Sequence, residues 1–439
     1  MNFSLPNSAV SLLKHITGGF AMTMYRTFSL LSALLLANPA GAAGFYISEI
    51  GTPGSLGTAG VANPVNRVSA DSSWTNPAGM TGLQRDEVLA GFQVLVPKIE
   101  FDPSIAEGGG KDGGNAGNLA AIPSFFMVKK LSDRFRVGFS VVAPQGGAMN
   151  YGDDFVGRYA AQRVELSAIG GSPSIAYQVN DHLSLGAGVS IVYTQFEQSV
   201  AINQSALVPG PIPLQDGKVR FDNMDDLGYQ PFLGLMYEFS DALHLGITYR
   251  AEMDVDLEGD LNFRNMTIPR PKANEIEIDW DNPQAIKAGL SYEFSQGKRL
   301  IFSAGWEDWS VFSENQLAIT GGAADPTGVL ERNFRDTWNA GVAFASVRKK
   351  GGSYSVGFSY DSSPVRDKDR TIDLPFDETY KLSAAIGWHL DRELSFALGG
   401  TLIYFGDGKV DQTAQGVRFK GEFDKNVAMF LGGTLRYLF

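Results

Sequence analysis

The chain has 439 residues, 36 Lys and Arg against 48 Asp and Glu, a formal net charge of −12 and no cysteine. The acidic balance, with no basic face, excludes a nucleic-acid partner, and the lack of cysteine excludes disulfides and thiolate metal sites. Mean hydropathy is −0.07 and no run of about 18 uninterrupted apolar residues occurs, which excludes membrane-spanning helices; 51 Gly, 29 Phe and 15 Tyr suit an all-β chain.

The first recognisable element is an export signal over residues 24–42. Arg26 supplies the positive region, Phe28–Ala37 a short apolar core, and Ala40-Gly41-Ala42 a small-residue cleavage site, so the mature chain is expected to begin at Ala43. Residues 1–21 precede natural starts at Met22 or Met24 and read as the product of a misplaced start codon. Residues 43–83 are Gly-rich and Pro-containing, with neither helical nor strand period. They read as a plug, and residues 84–439 as the barrel around it.

From residue 86 onward, strand-like runs recur to the end. Leu243, Leu245, Ile247, Tyr249, Ala251, Met253, Val255 and Leu257 alternate with His244, Gly246, Thr248, Arg250, Glu252, Asp254 and Asp256. A strand this long with one greasy and one charged face suits a barrel with lipid outside and a polar lumen. Similar alternation runs through Leu183–Tyr193, Ile286–Phe294 and Leu382–Leu390. Short turns at Ser132-Asp133, Asn180-Asp181, Ser240-Asp241, Gln296-Gly297 and Asp391-Arg392 alternate with long loops. That is the pattern of an outer-membrane barrel, turns toward the periplasm and loops toward the outside. The count is about 14 strands, an even number as closure requires. The third lies near 134–143, and Pro144-Gln145-Gly146-Gly147 should kink or stop it. The last puts Val427, Met429, Leu431, Leu435, Tyr437 and Phe439 on one face and ends on an aromatic, a signal suited to barrel-assembly machinery.

Little in the chain suggests catalysis or a cofactor. His15, His182, His244 and His389 lie far apart without metal-ligand spacing, and no nucleophile elbow accompanies them. Gly108–Asn118 is Gly-rich but lacks Ser or Thr after Lys111, so it reads as an external loop. The alternate carboxylates Asp254, Asp256, Glu258 and Asp260 read as a solvated rim. The loop containing Leu207, Val208, Ile212 and Leu214 is apolar although predicted to lie outside, which marks it as a candidate capture surface.

With these pieces the chain resembles the FadL/TodX family of outer-membrane transporters for long-chain fatty acids and other hydrophobic compounds. The resemblance runs from Ala43 to Phe439. It rests on the Ala43-Gly44-Phe45 start, on Asn76-Pro77-Ala78, on Phe334-Arg335-Asp336-Thr337-Trp338, and on Asp361-Ser362-Ser363-Pro364-Val365 followed by Arg370-Thr371-Ile372 and Leu374-Pro375. It implies a 14-stranded antiparallel transmembrane barrel closed by an N-terminal hatch, acting as a monomeric passive transporter in the outer membrane of a Gram-negative bacterium, among lipid and lipopolysaccharide, without enzyme activity. Asn76, Pro77 and Ala78 match the hatch motif. Ala43, Gly44 and Phe45 would border the ligand pocket, with Arg335 matching a basic position that meets a carboxylate. A second basic position is not evident, and Arg158 or Arg220 would have to substitute. Ala120, Ala143, Pro144 and Gly146 fall around the expected lateral opening at the third strand. Fatty acids and neutral hydrocarbons both remain open as ligands, as does a surface receptor or adhesin without flux.

Overall fold

The computed structural model describes residues 50–207, 215–267, 275–320, 327–348 and 352–439. The expected export signal and Ala43, Gly44, Phe45, Val208, Ile212 and Leu214 lie outside the described residues. Leu207 ends a one-turn helix, Gln204–Leu207.

The chain is an all-β, closed antiparallel barrel of 14 strands. Six continuous strands come first: β1 Glu87–Ala106, β2 Ala120–Lys130, β3 Phe135–Asn150, β4 Arg163–Gln178, β5 Leu183–Ile202 and β6 Gly217–Ser240. The next four are each broken once: β7 Leu243–Arg250 and Asp256–Arg264, β8 Glu275–Asp279 and Ala285–Ser295, β9 Lys298–Glu307 and Glu314–Thr320, β10 Thr327–Glu331 and Thr337–Arg348. Then follow β11 Gly352–Asp361, β12 Thr379–His389, β13 Leu394–Tyr404 with Lys409–Ala414, and β14 Val417–Leu438. The last strand returns to the first, from Glu87↔Leu438 to Ala106↔Phe419, and leaves no outer edge.

The wall shows the banding a bilayer imposes. Leu382, Ile386, Leu398, Leu402, Leu431 and Leu435 are exposed on its outside. Tyr360, Tyr380 and Tyr404 form a row above them, with ring centroids 5.2 and 6.3 Å apart. Trp388 stacks on Phe396 below, at 6.0 Å. Eight residues separate Tyr380 from Trp388, roughly 26 Å along the strand and so about 20 Å of height at barrel tilt.

One expectation is overturned above this belt. Leu243–Tyr249 keeps its odd-numbered apolar residues on the lipid side, but Met253, Val255 and Leu257 are buried inside, and Asp254, Asp256 and Glu258 are exposed outside. The charged face of this stretch is therefore external, not lumenal. The cause is a slip where β7 leaves the ladder between Arg250 and Asp256: a one-residue offset in a strand moves every later side chain to the other face. Neighbouring strands do the same. β6 slips at Asn223, which sits at φ 56°. β5 has a bulge between Phe196 and Gln198, and β8 reverses phase across its break, from Ile276, Ile278 and Trp280 inside to Ile286 and Leu290 outside.

Residues 50–83 pack inside the barrel as four short turns: α1 Pro53–Leu56, a 3₁₀ turn Asn63–Val65, α2 Ser72–Thr75 and a second 3₁₀ turn Pro77–Gly82. Wall side chains satisfy their backbone: Thr434 Oγ1 donates to Gly51 O at 3.0 Å, Thr401 Oγ1 to Leu56 O at 2.8 Å and Ser359 Oγ to Ala59 O at 3.2 Å. A backbone this irregular has to find such partners once it is taken from water.

Candidate functional site

The phase reversal turns a set of apolar side chains inward beneath the external loops. Met253, Val255, Leu257, Ile276, Ile278 and Trp280 join Trp309, Phe312 and Phe334 from the breaks in β9 and β10 in one buried cluster. Their rings meet at 5.1 Å (Phe196–Trp280), 4.8 Å (Trp280–Phe312) and 5.3 Å (Phe312–Phe334). The strand breaks thus build an apolar upper lumen out of residues that β-alternation would have spent on lipid.

The cations bordering this region carry partners. Arg332 places Nη1 2.7 Å from Asp373 Oδ2 and its guanidinium 5.8 Å from the Phe312 ring. Arg370, fully enclosed, meets Asp367 at 2.6 Å and Asp377 at 2.9 Å. Lower down, Lys287 meets Glu307 at 2.8 Å and Lys381 meets Asp361 at 3.0 Å.

A second apolar cluster lines the inner side of the β2–β3 wall: Leu95, Ala120, Ile122, Phe405 and Phe430, with Ala143 and Phe376 against it. Here the wall is incomplete. β2 and β3 pair from Lys130↔Arg136 up to Phe125↔Val141 and no further. Above that, Ala120–Ser124 pairs with β1 alone and the upper half of β3 with β4 alone. The two sides meet again at Gly117↔Met149, where Asn118 N donates to Ala148 O at 3.2 Å. The facing edges carry Pro123 and Pro144, and each removes an amide donor. Ala143 and Pro144 form a bulge opposite Ile169, and β3 continues through it to Asn150 rather than stopping. Gly146 is buried, yet a Cβ there would meet just one heavy atom within 4 Å, Leu166 O at 3.6 Å.

Below, the N-terminal segment is pinned to the wall at Asn76. Its buried amide donates to Pro64 O at 2.6 Å and Leu235 O at 3.2 Å, and its oxygen accepts from Ala78 N at 3.1 Å. Three wall glycines let the backbone come this close. A Cβ on Gly186 would lie 2.4 Å from Ala78 N, on Gly234 2.2 Å from Asn76 Oδ1, and on Gly246 1.9 Å from Pro64 O. The Arg250 guanidinium sits 4.2 Å from the Trp74 ring, and Arg136 donates to Leu83 O at 3.1 and 3.0 Å. On the periplasmic side a space of about 320 Å³ separates the segment from the wall, bordered by Ala62, Val65, Ile301, Ala345 and Ala397.

Comparison with known proteins decides the family. The model of the outer membrane protein transport proteins (OMPP1/FadL/TodX) matches residues 33–439. The chain belongs to the FadL/TodX family. It is similar to the long-chain fatty acid transport proteins of Salmonella typhi, 23% identical over 431 residues and covering 93% of this chain and 97% of that one, and of Escherichia coli K12, 23% identical over 441 residues with the same coverage. Outer membrane protein P1 of Haemophilus influenzae is 25% identical over 427 residues, covering 86% and 90%. In fold it matches a Pseudomonas aeruginosa FadL homologue at a TM-score of 0.82, with 22% identity over 90% of this chain and 100% of that chain. The Pseudomonas putida toluene transporter TodX matches at 0.67, with 16% identity over 84% and 94%. The family is one of outer-membrane transport proteins for hydrophobic compounds, and this barrel shares that localisation and general activity.

Within the FadL/TodX frame the sequence-predicted residues divide. Ala120, Ala143, Pro144 and Gly146 come together around the gap in the wall. Asn76, Pro77 and Ala78 sit buried at the segment's anchorage. Arg335 is exposed, with Nε donating to Ser363 O at 3.2 Å. Arg332, three residues earlier, is buried. Arg158 is already taken up, 2.7 Å from Asp216 and donating to Gly108 O at 3.0 Å and Gly109 O at 3.1 Å, and Arg220 meets Asp222 at 2.7 Å. Sequence reasoning missed Arg332, because the break in β10 that swings it inward has no alternation signature. It also passed over Pro123, although a second proline on a neighbouring strand edge was a readable sign of lost pairing.

Proposed function

We propose that the protein is a passive channel that takes hydrophobic molecules, long-chain fatty acids or related compounds, across the outer membrane and releases them sideways. The observation that carries this is the unpaired stretch between β2 and β3, backed on its inner side by the apolar side chains of Ala120, Ile122 and Ala143. A greasy solute gains nothing from a water-filled pore, since entering water is its unfavourable step. A chain of apolar surfaces from the upper cluster to a gap that faces lipid avoids that step. Capture falls to the external loop with Leu207, Val208, Ile212 and Leu214, and an intermediate pocket to Ala43, Gly44 and Phe45. Residues 43–83 act as a hatch that turns on the fixed point at Asn76-Pro77-Ala78 and shifts when ligand binds. No energy source is needed. The barrel works as a monomer among outer-membrane lipid and lipopolysaccharide, and Phe439 serves recognition by the assembly machinery.

The test is uptake of labelled oleate and of toluene by cells with and without the protein. Faster uptake of either supports a channel. Equal uptake of both, with the barrel assembled, leaves a receptor or adhesin. A second reading, neutral hydrocarbon ahead of fatty acid, is favoured by the pairing of Arg332 with Asp373 and of Arg370 with Asp367 and Asp377. A carboxylate entering this region meets cations that already have acidic partners, and burying it without a new partner is costly. Toluene uptake that far exceeds oleate uptake would support that reading.

A further inference from the structure

Between the two apolar clusters lies a polar pair that transport of a pure hydrocarbon does not require. Gln145 follows Ala143 and Pro144 in the β3 bulge; Asn282 sits in the break of β8. Their side chains are 3% and 2% exposed and meet across the lumen, Gln145 Nε2 donating to Asn282 Oδ1. The backbone of Asn282 is fixed separately, by reciprocal bonds with Met253 at 2.9 and 3.1 Å. Gln145 Oε1 and Asn282 Nδ2 find no hydrogen-bond partner among the described residues. Whichever way the two amides are turned, one N–H···O bond between them leaves a carbonyl on one and an amino group on the other. An unpartnered buried polar atom costs about 1–3 kcal/mol, and two leucines would avoid it. Position argues for a use. Gln145 pairs with Ala168, a member of the upper cluster, while Ala143, two residues away, packs on the cluster behind the gap. The amides stand where one apolar region hands over to the other.

We infer that Gln145 and Asn282 form a head-group site for an uncharged oxygen group, a hydroxyl or an un-ionised carboxyl, on an aliphatic molecule. Such a group carries one donor and one acceptor, complementary to the free carbonyl and amino group, and brings no charge into an apolar surrounding. The inference rests on the transport reading above and deepens it: the channel discriminates oxygen-headed chains from alkanes at this point, by hydrogen bonds and not by an ion pair.

The test is binding of radiolabelled dodecan-1-ol and n-dodecane to the purified full-length protein in detergent, wild type against Gln145→Leu with Asn282→Leu. Loss of the two hydrogen bonds should weaken alcohol binding about tenfold and leave the alkane unchanged or tighter. If the double variant does not assemble, Gln145→Met alone should give a smaller loss, again for the alcohol alone. Proportional weakening of both ligands, or no change in either, overturns the site. Flux is measured separately in cells. Selective alcohol binding with no flux would uphold the site and overturn the transport reading, and flux with no selectivity would do the reverse.

Discussion

At the scale of the residue, the contrast between Arg332 and Arg335 is the sharpest consequence of the geometry. Breaking a buried ion pair leaves an uncompensated charge, so Arg332→Ala should destabilise the barrel by about 3–5 kcal/mol. Arg335→Ala, at an exposed site, should stay within about 0.5 kcal/mol and leave oleate uptake intact; heat-modifiable migration and uptake assays check both. The outer rim offers a pH test. Burial, and then the carboxylates of Asp254, Asp279 and Glu252, push the Asp281 carboxyl up to about 6. The folded protein therefore holds this proton more tightly than the unfolded chain does, so the contribution to stability is full near pH 4 and is lost as pH rises through about 6. Thermal unfolding in detergent should show higher stability at pH 5 than at pH 7.5, and Asp281→Asn should reduce that difference.

At the scale of the element, strand alternation was legible and its interruption was not. The even strand count, the short turns and the kink at Pro144 could be read because period and proline are local signals. The sequence of β7 keeps odd residues apolar from Leu243 to Leu257 without a break, so nothing in it announces that the chain slips at 251–255. The slip is tertiary: β8 breaks opposite it, between Asp279 and Ala285, and β6 slips further along, between Asp222 and Asp225 opposite Asp260 and Glu258. Asp254→Cys should therefore react with a membrane-impermeant maleimide on intact cells while Val255→Cys should not; the reverse pattern would restore simple alternation. Anchorage of the inner segment can be tested on the wall. Gly234→Val puts atoms where Asn76 now sits, so the barrel should assemble but residues 50–83 should become accessible to protease.

At the scale of the whole molecule, the barrel class and the family were open to reading because closure, belt and turn pattern repeat over the full chain. The positions of the site residues were harder. The lateral gap needs two strand edges brought side by side, and of these Pro144 was weighed and Pro123 was not. Lateral release requires that gap to be the exit. Gly146 is buried beside it, and a Cβ there has room, so Gly146→Phe should fill the gap without preventing folding. The decisive measurement is the initial rate of toluene and oleate uptake by cells carrying this variant at wild-type levels of assembled barrel. The expected result is a fall to the rate of cells that lack the protein. Uptake at the wild-type rate through a fully assembled variant would contradict it.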